Sequence, residues 1–335
     1  MNWKMAVGSS VLGLMLLAGC GGQQGATGDQ GQAEKEPAEG GTTYKVGITQ
    51  FVEHPSLDAA TAGFKKALED AGLTVEYDTQ IAQGDQNNNM TIANNLVGNK
   101  VDLIFANSTP SAQSALNATT EIPIIFTSVT DPVGAELVKA IDKPGANITG
   151  TADTHPEAIP NTVKFIDQYF EGNKVGMIYN AGEQNSVAQV ELVKKAMEGT
   201  DLKVVGVSVS TSAEVKQATE SLVGAVDVIY VITDNTVVSA LESVVQVANE
   251  NHIPLFVGEF DSVARGGFAA YGFDYYDIGF EAGQMAAQIL KGEKTTADLP
   301  VQYPQNLKLL INKKAAAEMG IKLNPEWDGI AEYLE

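Results

Sequence analysis

The residues of this chain best placed to do chemistry are polar groups that stop apolar runs. Ile229-Tyr-Val-Ile232 is β-branched and aromatic, the pattern of a buried strand, and it ends on Thr233-Asp234-Asn235. Val237, Ala240, Leu241, Val244, Val245 and Ala248 then recur at helical spacing. Asp234 and Asn235 are therefore expected at the carboxyl end of a strand and the amino end of a helix, where ligands bind in open α/β sheets. Helix capping by the same two residues is compatible with that role. Five further polar groups stand at comparable strand ends: Gln50 to His54, Asn107 to Thr109, Thr127 to Asp131, Asn180 to Ser186, and Glu259 to Asp261.

Ser108, Thr109, Thr127 and Ser128 offer hydroxyls and helix-start N–H groups that suit a carboxylate. Asp234, Asp261, Glu259 and Glu53 are acceptors that suit an ammonium. Phe51 and Phe260 are candidates for an aromatic wall. Asp131, Asn185, Ser186 and Asn235 complete the candidate set. Together these describe recognition of a zwitterion, a free amino acid. A carboxylate in the same cleft used catalytically is the competing reading. Enzyme signatures are scarce, however. His54, His155 and His252 lack metal-ligand spacing, no phosphate-binding glycine loop follows a strand, and no nucleophile turn of the G-x-S-x-G kind occurs. No catalytic residue, metal or cofactor is expected.

The elements that must hold these groups alternate. Strands are expected at Tyr44–Gln50, Leu73–Tyr77, Asp102–Ala106 and Ile122–Phe126, with helices between them. Pro144 to Gly150 reads as a turn-rich crossing between lobes. The alternation restarts at Lys174–Asn180, Lys203–Val209, Ile229–Ile232, Pro254–Gly258 and Gly267–Phe273. A long helix from about Tyr275 to Leu290, a strand at Leu307–Ile311, and short helices at Ala315–Met319 and Glu326–Tyr333 close the chain. The fold class expected is α/β: two Rossmann-like, doubly wound parallel-sheet lobes joined by a hinge. The division expected is 44–150 plus about 274–302 for one lobe, and 151–273 plus about 303–335 for the other.

With 335 residues and 44% hydrophobic residues, two ordinary domains with real cores fit. The net charge of −21 makes nucleic acid an unsuitable partner, because phosphates would be repelled. Residues 1–19 have a basic start, a short apolar centre and small residues, the layout of a signal peptide. The chain's single cysteine, Cys20, follows Leu17-Ala18-Gly19, which resembles a bacterial lipobox. That likeness implies cleavage before Cys20, lipid attachment to its sulfur, and export to the outer face of the cell membrane. Residues 20–43, poor in bulky apolar side chains, read as a flexible tether. Membrane contact is expected through the lipid alone.

Longer strings carry a wider resemblance. Gly47-Ile-Thr-Gln-Phe-Val-Glu-His-Pro55, Thr127-Ser-Val-Thr-Asp-Pro-Val-Gly134, Thr233 to Glu242, and Tyr271-Gly-Phe-Asp-Tyr-Tyr276 with Gly279, Gly283 and Met285 resemble the ABC-transporter substrate-binding lipoproteins of the tryptophan/tyrosine-type group. The resemblance spans about Tyr44 to Leu334. It implies a periplasmic-binding-protein type I fold, an aromatic amino acid held between two closing lobes, and delivery to a separate permease and ATPase. A branched aliphatic amino acid or another small carboxylate is the alternative ligand, and a sensor for a membrane receptor an alternative use.

Overall fold

Residues 42–145 and 147–335 are described by the structure, a computed structural model. The expected signal peptide, Cys20 and nearly all of the tether lie outside the described residues. Thr43, placed in the tether by the sequence, already begins the first strand.

The first sheet has the order β2-β1-β3-β4-β5, all parallel. Its strands are β1 (Thr43–Gln50), β2 (Thr74–Ile81), β3 (Leu103–Asn107), β4 (Ile124–Val129) and β5 (Ile148–Ala152). β3 and β4 are buried throughout, as strands covered by helices on both faces must be. Alternate residues feed separate cores: Ile104, Ile124 and Phe126 one, Leu103, Phe105 and Ile125 the other. Helices α1 (Pro55–Asp70), α2 (Gln86–Gly98) and α3 (Thr109–Ala118) make the crossovers. Phe64 of α1 stacks on Phe105 with ring centroids 3.8 Å apart.

The second sheet has the order β12-β11-β10-β9-β8-β6-β7. It is built from β6 (Lys174–Asn180), β7 (Lys203–Val209), β8 (Val228–Val231), β9 (Leu255–Val257), β10 (Ala269–Gly272), β11 (Lys308–Asn312) and β12 (Ala331–Leu334). Only the β10–β11 pair is antiparallel. α4 (Ala158–Tyr169) leads into it from β5, and α5 (Gln184–Ala196), α6 (Val215–Leu222), α7 (Asn235–Val238), α8 (Leu241–Glu250), α9 (Phe260–Ala264) and, further on, α11 (Lys313–Glu318) connect its strands.

Between β10 and β11 lies α10 (Tyr275–Leu290), which packs on α1 of the first lobe. The two helices approach so closely that a Cβ on Gly63, Gly279 or Gly283 would strike the facing backbone. This contact accounts for Gly279 and Gly283 in the Tyr271–Met285 string. The chain thus crosses between lobes after β5, between β10 and α10, and again after Gln302, which bridges Thr151 at the edge of the first sheet.

Three local expectations change. The stretch Pro144–Gly150, expected as a crossing, instead delivers the edge strand β5, and the crossing follows it. Gly150 permits this, because a Cβ there would collide with the Phe126 carbonyl of β4. The helix expected at Glu326–Tyr333 is a 3-10 turn at Pro325–Gly329 followed by β12. The helix expected after Asn235 is broken at Ser239–Ala240 into α7 and α8.

Candidate ligand-binding site

The strand order places a switch point between β1 and β3 in one lobe and between β6 and β8 in the other. The crevices above those points, at the carboxyl ends of the strands, face one another. There His54, Leu57, Ser128 and Asp153 from the first lobe meet Asn185, Thr233, Asn235, Val238 and Glu259 from the second, with Tyr275 at the start of α10. The non-atom space around them is about 300 Å³, open solvent included.

Two carboxylates line this pocket, and none of its lining residues is a lysine or arginine. Asp153, just past β5, accepts from Thr130 Oγ1 at 3.0 Å and from the Tyr275 hydroxyl at 2.8 Å. Burial raises its pKa despite both bonds. Glu259, at the amino end of α9, accepts from Ser262 through one oxygen, while Oε2 has no partner. Burial pushes its pKa up to about 7. His54 Nδ1, Ser128 Oγ and Asn185 Oδ1 are likewise buried without partners. Burial, with Arg265 nearby, holds the His54 imidazole down to about 3, so it is neutral and hydrogen-bonded with Asn235. Buried polar atoms without partners are uncommon in native proteins, and four of them gather around this one hollow. The Ser108 and Thr109 hydroxyls, at the amino end of α3 on the same crest, are also buried and unpartnered.

Of the residues expected from sequence, Ser128, Asn185, Asn235 and Glu259 line the pocket, and Ser108 and Thr109 lie beside it on the crest. Phe51 and Glu53 stand farther out, on an open groove between the lobes shared with Gln83–Asp85 and Ser210–Ser212, and the Phe51 ring packs into the first lobe's core. The aromatic wall of the pocket is Tyr275, assisted by Leu57 and Val238. Thr127 accepts from the Thr151 hydroxyl at 2.8 Å, joining β4 to β5. Asp131 closes a turn by accepting from the Gly134 N–H at 2.8 Å. Asp261 is half-buried on α9, facing Ser56 of α1.

Asp234 is the N-cap of α7. One oxygen accepts from Asn180 N–H at 2.6 Å and the other from Val237 N–H at 2.8 Å. It ties the end of β6 to the cap of α7 and lies outside the pocket lining. Burial and the neighbouring Glu183 carboxylate raise its pKa, and Ser186 hydrogen-bonds to it. Glu183 is a second anchor, accepting from Asn185 Nδ2, from Asn235 and from Thr236. It thereby fixes both asparagines of the pocket.

Asp153 and Tyr275 did not enter the expected site. The signal for Asp153 was present but lay behind β5: an acidic residue after a strand is noticed only if the strand is. Tyr275 is the second residue after Phe273, where the last strand of the alternation hands over to the long helix.

Known proteins match this architecture along its length. Residues 45–330 match the family described as ABC transporter substrate binding protein. The chain belongs to that family. It is 43% identical over 310 residues to a tyrosine-binding protein of Clostridioides difficile, covering 91% of this chain and 88% of the relative. A Streptococcus pneumoniae ABC domain in complex with L-Trp is 34% identical, covers 88% of this chain and all of its own, and superposes with a TM-score of 0.83. A ligand-free, open substrate-binding protein with adhesive properties from Clostridium difficile is 39% identical, covering 87% of this chain and 99% of its own, with a TM-score of 0.64. The fold is that of periplasmic-binding-protein type I. Membership of the family implies a small-molecule ligand and transporter partners. No helix among the described residues is long and apolar enough to cross a membrane.

Proposed function

We propose that this chain is the extracytoplasmic receptor of an ABC importer and binds a free aromatic amino acid between its lobes. The observation that carries the proposal is the pairing of two buried carboxylates, Asp153 and Glu259, with no cationic side chain among the lining residues. Buried negative charge without a positive partner is costly, and a ligand ammonium supplies that partner. The α-carboxylate goes to the unpartnered hydroxyls of Ser108, Thr109 and Ser128, the first two at the amino end of α3. Tyr275, Leu57 and Val238 then border an aromatic side chain.

The relatives support the aromatic reading, one being named for tyrosine and another holding L-Trp. They also bear on motion. The open, ligand-free structure is more similar in sequence than the L-Trp complex yet superposes less well, which fits a closed arrangement of the lobes here. Closure around a ligand that touches both lobes requires no catalytic group. Cys20 is proposed as the lipid anchor, with the permease and its ATPase as partners.

A thermal-shift screen against free amino acids tests the reading. An aromatic amino acid at about 100 times its Kd should stabilise the chain by roughly 2.7 kcal/mol. No shift with L-tyrosine, L-tryptophan or L-phenylalanine would sink the aromatic assignment.

A further inference from the structure

Gln189 of α5 is buried, belongs to the second lobe, and is the middle of a hydrogen-bond chain that crosses to the first. Its amide grips Thr233 within its own lobe: Nε2 donates to Thr233 Oγ1 at 2.7 Å, and Oε1 accepts from the Thr233 N–H at 3.2 Å. The same Nε2 donates across the gap to Thr130 Oγ1 at 3.3 Å. Thr130 has one hydroxyl proton, which goes to Asp153 Oδ1 at 3.0 Å. The Tyr275 hydroxyl donates to the other oxygen of Asp153. The chain has one direction, from Gln189 N–H through Thr130 O–H to Asp153, so each donor meets an acceptor. Two of its members, Thr233 and Asp153, line the ligand pocket from opposite lobes.

We infer that Gln189 is the positioning residue that latches the lobes shut, through a bond to Thr130 that exists only in the closed form. The inference rests on the receptor reading above but not on the identity of the ligand. Opening the lobes separates Gln189 from Thr130. Thr130 then loses its donor, while the Gln189–Thr233 grip, internal to one lobe, persists. Closure is therefore rewarded by a bond that exists in one state alone, the condition for any device that shifts a two-state equilibrium. Thr130 also shares the Asp131 turn, so the latch stands at the rim of the pocket rather than among groups that touch the ligand.

The test uses the full chain with Cys20→Ser and dyes on Asn95→Cys and Lys216→Cys, one exposed position on each lobe. Energy transfer gives the closed-to-open ratio without ligand, and stopped-flow mixing gives rates for L-tyrosine and L-tryptophan. Gln189→Ala and Thr130→Val should each lower the closed-to-open ratio by about two- to tenfold, the worth of one hydrogen bond. Ligand dissociation should quicken by a similar factor with association unchanged. Thr130→Ser, which keeps the hydroxyl, should restore both quantities.

A wild-type ratio in Thr130→Val would overturn the latch, whatever Gln189→Ala does, because Gln189 would then serve Thr233 alone. Failure of the wild-type chain to bind either amino acid would count against the aromatic reading. The ligand-free ratios would still decide the latch.

Discussion

The Tyr275 hydroxyl donates to Asp153 Oδ2 at 2.8 Å, and the two residues stand on different crossings between the lobes. Asp153 follows β5 on the first crossing, and Tyr275 opens α10 on the second. A bond between hinge segments that also borders the pocket ties ligand contact to lobe orientation.

Removing that bond should be felt as affinity. Tyr275→Phe keeps the ring wall and leaves Asp153 with one donor fewer in a dry site. A hydrogen bond to a charged group contributes roughly 1.5–3 kcal/mol, so binding of an aromatic amino acid should weaken about ten- to a hundredfold. Calorimetric titration checks this; an unchanged Kd would detach the hinge bond from ligand contact.

Asp153 and Asp234 should separate cleanly in mutagenesis. Asp153→Asn should lose ligand affinity with little change in Tm. Asp234→Ala deletes a helix cap, worth about 0.5–2 kcal/mol, and strands the Asn180 N–H, so it should chiefly lower Tm. Paired melting curves and titrations distinguish the two. A variant at Asp234 that melts normally but binds nothing would return that residue to the pocket.

Glu259 gives a pH dependence with a definite sign. Its pKa is about 7 in the folded chain against an ordinary 4.5, so the folded state holds more protons than the unfolded between those values. Stability from this group is full below about 4.5 and is lost as pH rises through about 7. Glu259→Gln removes the titration and should stabilise the ligand-free chain at pH 8 by up to about 3 kcal/mol, while weakening ligand binding. An ammonium facing Glu259 favours its ionised form. Ligand binding near pH 7 should therefore release protons in the wild type, and less in the variant. Calorimetry in buffers of different ionisation enthalpy measures the difference.

The α1–α10 contact should tolerate no side chain. Gly279→Ala places a methyl group against the Ala60 backbone, and overpacking of this kind costs about 1–3 kcal/mol. A denaturant midpoint equal to that of the wild type would mean that the helices part without strain.

The fold was legible where burial imposes long apolar runs. β6 and β7 fall at the expected residues, and β8 and β9 within one or two, because their patterns are strong and their ends carry turn residues. β5 was not legible, since its Ile-Thr-Gly-Thr-Ala follows a Pro-Gly turn and depends on a tight approach to Phe126 that no local pattern reports. β12 has four residues and is held by pairing with β11. The site followed the same division. Ser128, Asn185 and Asn235 sit at strand ends or helix starts that the sequence marks, so their place on the pocket could be anticipated. Asp153 was lost together with β5. Asp234 reads from sequence as a ligand group because a cap and a contact residue have the same chemistry, and in the fold its oxygens accept from two backbone N–H groups.

On the proposed reading, the pocket recognises both charged ends of one amino acid. Titration of the chain with L-tyrosine, with tyramine, which lacks the carboxylate, and with 3-(4-hydroxyphenyl)propionate, which lacks the ammonium, tests it most directly. Leaving a buried charge unpaired costs about 3–5 kcal/mol, so each analogue should bind at least about a hundredfold more weakly than L-tyrosine. If 3-(4-hydroxyphenyl)propionate binds as tightly as L-tyrosine, Asp153 and Glu259 do not hold an ammonium and the account is wrong.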